Sequence, residues 1–214
     1  SPYVDRNLLD AISRMAPSGS ALRELLSVAR DTTARTRAFA VQKLGLFSGS
    51  PDARRTAFEV ANSESDPLML AAAVSALVRL DSSLAWPVLR SAFVTESTGD
   101  IVRRTAVQLL VDAPIDDDDK VEALRGVLDQ KYADDLRSDA IRSLQSWSDI
   151  RDVREQLLSL WAGSSVHLRS AILSFFRSTD LSENERDLLR AWMDVEPDPL
   201  LHRRLESTLL EPTS

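Results

Sequence analysis

The sequence contains no cysteine and only two histidines, His167 and His202, among its 214 residues. Without cysteine the chain can form no disulfide scaffold, cysteine nucleophile, thiolate zinc site or iron–sulfur ligation. Two imidazoles leave little material for the histidine-rich metal sites and acid–base pairs that many hydrolases use. The six glycines are scattered and form neither a phosphate-binding loop nor a dinucleotide-binding motif. We therefore expect no catalytic residue, no metal site and no cofactor in this chain.

Basic residues are also in short supply. Lysine and arginine total 26 against 33 aspartates and glutamates, which gives a formal net charge of -7. A negative protein repels phosphate backbones, so we expect no nucleic-acid partner. No stretch approaches the roughly 18 apolar residues that cross a bilayer, and residues 1–20 lack the features of a signal peptide. These absences favour a soluble, cytoplasmic protein that has no membrane partner.

What the sequence does have is a repeated helical pattern. Asp66 and Pro67 provide the cap and first residue of a helix, and apolar residues then follow with three–four spacing. The apolar face of this helix consists of Met69, Ala73, Val74 and Leu77. The same face recurs every 31 to 34 residues, with its small position at Ala40, Ala73, Ala106, Ala140, Ala171 and, as a larger residue, Leu205. A period of this length indicates a repeat architecture.

A second amphipathic segment precedes each of these helices, so two helices occupy each period. One helical hairpin cannot bury both apolar stripes, and its stability must come from stacking on its neighbours. We predict an all-α, right-handed solenoid in which residues 1–214 form a single array without an internal domain boundary. The predicted hairpins span about 19–46, 51–81, 84–113, 116–147, 150–178 and 182–210. Residues 1–16 are predicted to be an N-terminal capping helix or the second helix of a truncated repeat, with truncation favoured.

The second helices resemble the HEAT-repeat signature, through Val102-Arg103 with Ala106-Val107 and Leu136-Arg137 with Ala140-Ile141. The resemblance covers residues 19–210. It departs from the signature where Leu70, Leu168 and His202 replace the usual arginine and where Leu205 replaces alanine. The resemblance implies a protein-interaction or scaffold role, and it implies that the second helices line a concave surface.

Three groups of residues have structural explanations in such an array. The signature arginines Arg37, Arg103 and Arg137 are expected to pair with carboxylates of neighbouring repeats, such as Asp66, Asp100 or Asp134. The acidic run Asp116–Asp119 is expected to begin a helix. Among the tryptophans, Trp161 and Trp192 are predicted to pack between adjacent repeats, whereas Trp86 and Trp147 are predicted to be more exposed.

A helical wheel assigns two rows of each second helix to the solvent side. The first row is Ala38, Ala71, Arg104, Ser138, Arg169 and Arg203, and the second is Gln42, Ser75, Gln108, Arg142, Leu173 and Ser207. We hypothesise an arginine-rich concave groove that receives an acidic peptide, a chain carboxylate or the acidic face of a neighbouring domain. The predicted partner-binding residues are Arg35, Arg104, Gln108, Arg142, Arg169, Arg203 and Arg204. If they face solvent, alanine at Arg104, Arg169 and Arg203 should leave thermal stability nearly unchanged.

Two other functions remain open. HEAT-like arrays also form the C-terminal domain of some zinc aminopeptidases, where they close over the active-site cavity, and the catalytic motif would then lie outside this sequence. A HEAT-like DNA glycosylase is a further alternative, which the acidic charge and the lack of interleaved aromatic and basic residues disfavour. Protein interaction is the function that the sequence favours.

Overall fold

The computed structural model describes residues 18–94 and 100–210. Within them the chain forms α-helices and short 3-10 turns, and no strand. The α-helices are α1 (Gly19–Arg30), α2 (Arg37–Lys43), α3 (Pro51–Ser63), α4 (Pro67–Leu80), α5 (Ser82–Val94), α6 (Asp100–Leu110), α7 (Asp117–Val127), α8 (Asp134–Ser143), α9 (Arg151–Leu160), α10 (Val166–Arg177), α11 (Glu183–Val195) and α12 (Pro199–Leu210). The predicted all-α fold class is therefore confirmed for the described residues. The predicted helix at residues 1–16 lies outside the described residues.

No helix in the described part of the chain is long and apolar enough to cross a membrane.

Local sequence explains where these helices begin. Ser50 and Asp66 accept hydrogen bonds from amides in the first turn of α3 and α4, and proline follows each of them as the first helical residue. The Asp116 carboxylate accepts from the amide of Asp118 at 2.9 Å, just where α7 begins. The acidic run 116–119 therefore lies at a helix start, as predicted. Ser182 and Glu185 form a complete capping box on α11.

The chain divides into two compact units, Ser1–Lys120 and Val121–Ser214. In the first unit, α2 packs against α4 and α4 packs against α6, while α1 and α3 form hairpins with α2 and α4. The small residues predicted for the tightest contacts, Ala40, Ala73 and Ala106, are completely buried. Their missing side-chain volume allows the second helices to approach one another closely.

The second unit repeats this arrangement, with α8 against α10 and α10 against α12. The rings of Trp161 and Trp192 stack with centroids 4.2 Å apart and planes 4° from parallel, which confirms the predicted packing between adjacent repeats. Trp147 is buried, so the prediction that it is exposed is wrong. It lies in a 3-10 turn, Leu144–Trp147, that extends α8 and carries the ring inward. Trp86 is half-buried.

The predicted pairing of the signature arginines with carboxylates of neighbouring repeats is confirmed for Arg37 but is wrong for Arg103 and Arg137, which contact Asp100 and Asp134 of their own repeats. Arg37 pairs with Glu64 of the next hairpin at 2.5 Å, in place of Asp66. Arg103 and Arg137 contact carboxylates in the first turn of their own helices, at 3.5 and 2.9 Å. The Nε atoms of Arg37 and Arg137 donate to carbonyls at the end of the preceding helix, those of Ala29 and Leu128. Arg37 and Arg137 therefore cap helix C-termini, where carbonyls lack intrahelical partners.

Another arginine, Arg154 on α9, forms the most extensive buried polar cluster of the second unit among the described residues. Its Nε and Nη2 donate to the two carboxylate oxygens of Glu185, both at 2.6 Å. It also donates to the carbonyls of Ser148 and Asp180. Burial acts to raise the pKa of Glu185, but hydrogen bonds from Arg154 and Ser182 outweigh it and hold that pKa below its ordinary value. The ionised pair therefore joins α9 to α11.

Replacement of Glu185 by glutamine should lower the free energy of unfolding by about 3 kcal/mol at neutral pH, because Arg154 then stays buried without a charged partner. The folded-state pKa is lowered, so the contribution of the pair is present above the ordinary pKa and disappears as the pH falls through the folded-state value. Urea unfolding at about pH 7 and about pH 3 should show that the difference from wild type shrinks in acid. The matched control is Glu183→Gln on the same helix turn, which removes an exposed carboxylate and should change stability by less than about 0.5 kcal/mol. Equal effects of the two substitutions would contradict the assignment.

Candidate functional site

A cavity of about 770 Å³ lies along the second helices of the first unit. Side chains from three successive hairpins line it, at residues 35–46, 68–79 and 101–109. Its smaller lining residues are Ala38, Ala71, Ala72, Ser75 and Thr105. Ligand pockets occupy about 300–1,000 Å³, so this cavity has room for a short chain segment as well as for a single side chain.

The larger side chains of the cavity are separated along the helix axes. Leu68 and Ile101 lie in the first turns of α4 and α6 and are 60% and 50% exposed. Lys43 and Arg79 lie in the last turns of α2 and α4. The three second helices run parallel because an antiparallel first helix separates each from the next. Leu68 and Ile101 therefore lie at one end of the cavity, near Arg35, which precedes α2. Lys43 and Arg79 lie at the other end, where Leu46 is also exposed.

Gly45 fixes the approach of α2 to α4 at the cationic end. It lies in a 3-10 turn, Leu44–Leu46, that follows α2. A Cβ atom at this position would come within 3.2 Å of the Ala76 Cα and 3.3 Å of the Arg79 Cδ. The absent side chain thus makes room for the backbone of α4 and for the aliphatic part of Arg79.

The described residues that line the cavity include three cationic side chains, Arg35, Lys43 and Arg79, and no carboxylate. Lys43 Nζ lies 5.0 Å from the centre of the Phe39 ring, at the distance of a cation–π contact. Arg35 and Arg79 are exposed and form no ion pair with any residue in the described ranges. The uncharged polar side chains of the lining are two amides and three hydroxyls, those of Gln42, Gln108, Thr36, Ser75 and Thr105. The cavity is therefore locally cationic in a chain of net charge -7.

The predicted partner-binding residues in the first unit fall partly in this cavity. Arg35 and Gln108 line it. Arg104 is exposed on α6 but is not among the lining residues. Their role in binding a partner stays a prediction.

In the second unit, three of the four predicted arginines contact groups of the protein itself. Arg142 pairs with Asp139 one helical turn away. Arg204 donates to the hydroxyls of Ser170 and Ser174 at 2.5 and 2.7 Å, which joins α12 to α10. Arg203 is exposed on α12.

Arg169, the remaining predicted arginine of the second unit, is held inside the fold by several contacts. It donates to the Glu196 carboxylate at 2.9 Å and to the Ser164 carbonyl at 2.6 Å, and it lies 5.9 Å from the Trp161 ring. The Glu196 side chain is only 1% exposed. The expectation that Arg169 faces solvent is therefore wrong, because it pairs with a buried carboxylate 27 positions later in the chain. We now expect its replacement to lower stability.

The helical wheel fails at three other positions. Ala71 is buried although it borders the cavity, and Ser138 and Leu173 are completely inaccessible to solvent. An ideal wheel treats every helix as having one neighbour, whereas α4 contacts both α2 and α6, and α10 contacts both α8 and α12. The predicted solvent-facing rows are consequently interrupted.

The sequence alone did not identify four lining residues of the cavity: Lys43, Arg79, Leu68 and Ile101. They lie in the first or last turn of a helix, outside the central apolar face from which the repeat was identified. For Leu68 and Ile101 the sequence did contain a signal, because they occupy equivalent positions one residue after the start of α4 and α6.

The described residues contain no group of three or more histidines and carboxylates that could hold a metal ion. His167 lies 3.6 Å from Asp135, but both side chains are largely exposed. The nearby Asp134 has a lowered pKa because the hydroxyl of Ser165 and the guanidinium of Arg137 hydrogen-bond to it. This polar cluster links α8 to the start of α10, and we assign it a structural role.

Residues 21–111 match the family model of HEAT repeats, which confirms the resemblance over that part of the chain. HEAT repeats generally mediate protein interaction or scaffolding. No curated protein matches the sequence. Among solved structures, the crystal structure of an engineered protein from the Northeast Structural Genomics Consortium is 15% identical and has a TM-score of 0.48, with 88% of this chain and 94% of that chain covered.

Substitution of Gly45 by valine should lower the free energy of unfolding by about 1–3 kcal/mol, because the new side chain must displace α4 or Arg79. Gly126 near the end of α7 is the matched control, since nothing lies within 4 Å of a Cβ built there. Gly126→Val should change stability by less than about 0.5 kcal/mol, because removing glycine from a helix offsets the cost of a β-branched residue. Chemical unfolding measures both, and equal losses would rule out the close approach at Gly45.

Replacement of Arg169 by alanine should destabilise the protein by about 3 kcal/mol, because Glu196 is left buried without its cation. Arg203→Ala, on an exposed side chain, should stay within about 0.5 kcal/mol of wild type. Thermal and urea unfolding of the two single variants provide the measurement. An Arg169→Ala protein as stable as wild type would show that the buried pair contributes nothing.

Proposed function

We propose that this chain is a non-catalytic protein-interaction domain whose cavity on α2, α4 and α6 receives a segment of a protein or peptide partner. The observation that carries the proposal is that three successive repeats line one cavity, within the region that matches HEAT repeats. Each repeat supplies part of the lining, so a bound segment would contact several helices of a stacked framework. Binding to a framework that is already ordered avoids much of the entropy cost of association.

The lining of the cavity supports a protein partner rather than a small metabolite. It combines apolar side chains with amide, hydroxyl and cationic groups, which matches the mixed chemistry of a polypeptide. Glutamine amides both donate and accept, so Gln42 and Gln108 can satisfy the backbone groups of a bound segment. No observation among the described residues favours the alternative that this is the C-terminal domain of a larger zinc aminopeptidase, and that alternative stays a prediction.

Selection of random peptides of about twelve residues against the protein tests the proposal, since that length spans the cavity in extended or helical form. The selected pool should bind the wild type and lose at least about tenfold in affinity to Ser75→Phe, which adds a bulky ring inside the cavity.

The control for this experiment is Ser91→Phe on α5. Ser75 and Ser91 each donate a hydroxyl hydrogen bond at 2.8 Å to a carbonyl in the preceding turn, but Ser91 is exposed on a first helix. Ser91→Phe should bind the selected pool as wild type does. A pool that binds Ser75→Phe unchanged would place the interaction elsewhere, and failure to select any pool would count against a peptide-binding role.

A further inference from the structure

The charge of the cavity lining is opposite in sign to the net charge of the chain. Acidic residues outnumber basic residues 33 to 26 over the whole sequence, yet the lining residues that the structure describes comprise three cations and no carboxylate. Arg35 and Arg79 are exposed and unengaged by carboxylates within the described ranges. Because neither arginine forms an ion pair within the described part of the chain, these guanidinium groups are available to an anion that enters the cavity.

The apolar part of the cavity adds a second requirement. At one end of the cavity, Leu68 is 60% exposed and Ile101 is 50% exposed. Arg79 lies near the other end of α4. Leu68 and Arg79 are eleven positions apart on the same helix, which corresponds to about 16 Å along its axis. An occupant that satisfies both ends must carry an apolar group and an anionic group about that far apart.

We propose that the occupant is an acidic segment of another protein that also carries a bulky aliphatic or aromatic side chain. The apolar side chain covers Leu68 and Ile101, and carboxylates of the segment accept hydrogen bonds from Arg79 at the opposite end and from Arg35. The inference rests on the proposed function and adds the chemistry of the partner to it.

Nucleic acid fits the same cations less well. Its affinity comes from many phosphate contacts, and a chain of net charge -7 opposes the approach of a polyanion. Exposed aliphatic side chains such as Leu68 and Ile101 offer neither the aromatic stacking surface nor the hydrogen bonds through which bases are bound. A peptide with both apolar and acidic side chains uses every part of the lining.

The test selects the same random peptides of about twelve residues against two forms of the full chain. Peptides selected on the wild type in a Ser75-dependent manner should be enriched in aspartate and glutamate together with leucine, isoleucine or phenylalanine. Selection on the double variant Arg35→Glu and Arg79→Glu should instead enrich lysine and arginine with the same apolar residues. A charge switch of this kind requires a folded cavity, so it separates altered recognition from unfolding.

The control changes the charge of the whole protein equally. Arg23 and Arg90 are exposed on the first helices α1 and α5, outside the cavity lining. The Arg23→Glu and Arg90→Glu double variant should bind a synthetic peptide from the wild-type pool within about twofold of wild type, whereas the cavity variant should bind it at least about tenfold more weakly. Fluorescence anisotropy of the labelled peptide provides the measurement.

The outcomes separate the inference from the proposed function. A Ser75-dependent pool that is neutral or basic, or whose composition does not change on the charge-reversed protein, overturns the inference and leaves the proposed function standing. If no pool depends on Ser75, both fail. A labelled single-stranded DNA of about twelve nucleotides that competes with the selected peptide and loses affinity on the charge-reversed variant overturns the inference in favour of a nucleic-acid ligand.

Discussion

The close approach of successive second helices is the constraint on which the rest of the structure depends. One helical hairpin has more apolar surface than it can bury, so each must stack on its neighbours. Stacking is possible at this distance because alanine occupies the contact positions, and Ala40, Ala73 and Ala106 have no exposed surface. A larger side chain there would hold the helices apart and leave unfilled space around it, which costs stability. Other small residues of the same helices, Ala38, Ala71, Ala72 and Ser75, line the first unit's cavity and leave it open.

Stacking also covers carbonyl groups at helix ends, and arginine side chains supply the hydrogen-bond donors that these carbonyls need. Each helix ends with carbonyls that have no intrahelical partner, and the next helix covers them from water. Arg37, Arg137 and Arg169 each donate to such a carbonyl or to one in the following loop, and each also contacts a carboxylate. A guanidinium group suits this position because its several donors serve both acceptors at once. Much of the arginine content of the chain is therefore used inside the fold.

Predictions from sequence alone succeeded where they depended on neighbouring residues and failed where they depended on distant ones. Helix starts depend on residues a few positions apart, such as Asp66 with Pro67, and the repeat depends on a local period, so both are visible in the sequence. The partner of a side chain is not local: Glu196 reaches Arg169 from 27 positions away, across a hairpin. The same limitation affected Ser138 and Leu173, which a helical wheel assigned to solvent but which neighbouring helices cover completely. The repeat period and the resemblance over residues 21–111 were thus predictable, whereas the partners of the arginines needed the packed structure.

The acidity of the chain determines how the proposed partner would be recognised. At physiological ionic strength a charge acts over about 8 Å, so beyond that distance an acidic segment experiences little attraction from the cavity and some repulsion from the protein as a whole. Long-range steering therefore cannot supply the affinity, and contacts made inside the cavity must do so. The guanidinium groups of Arg35 and Arg79 select for negative charge at short range, but both are solvated, and exposed ion pairs contribute only about 0–1 kcal/mol each. Burial of Leu68 and Ile101 beneath an apolar side chain would exclude water from the same space and strengthen those pairs. Recognition in this cavity consequently requires apolar and acidic groups in the same segment.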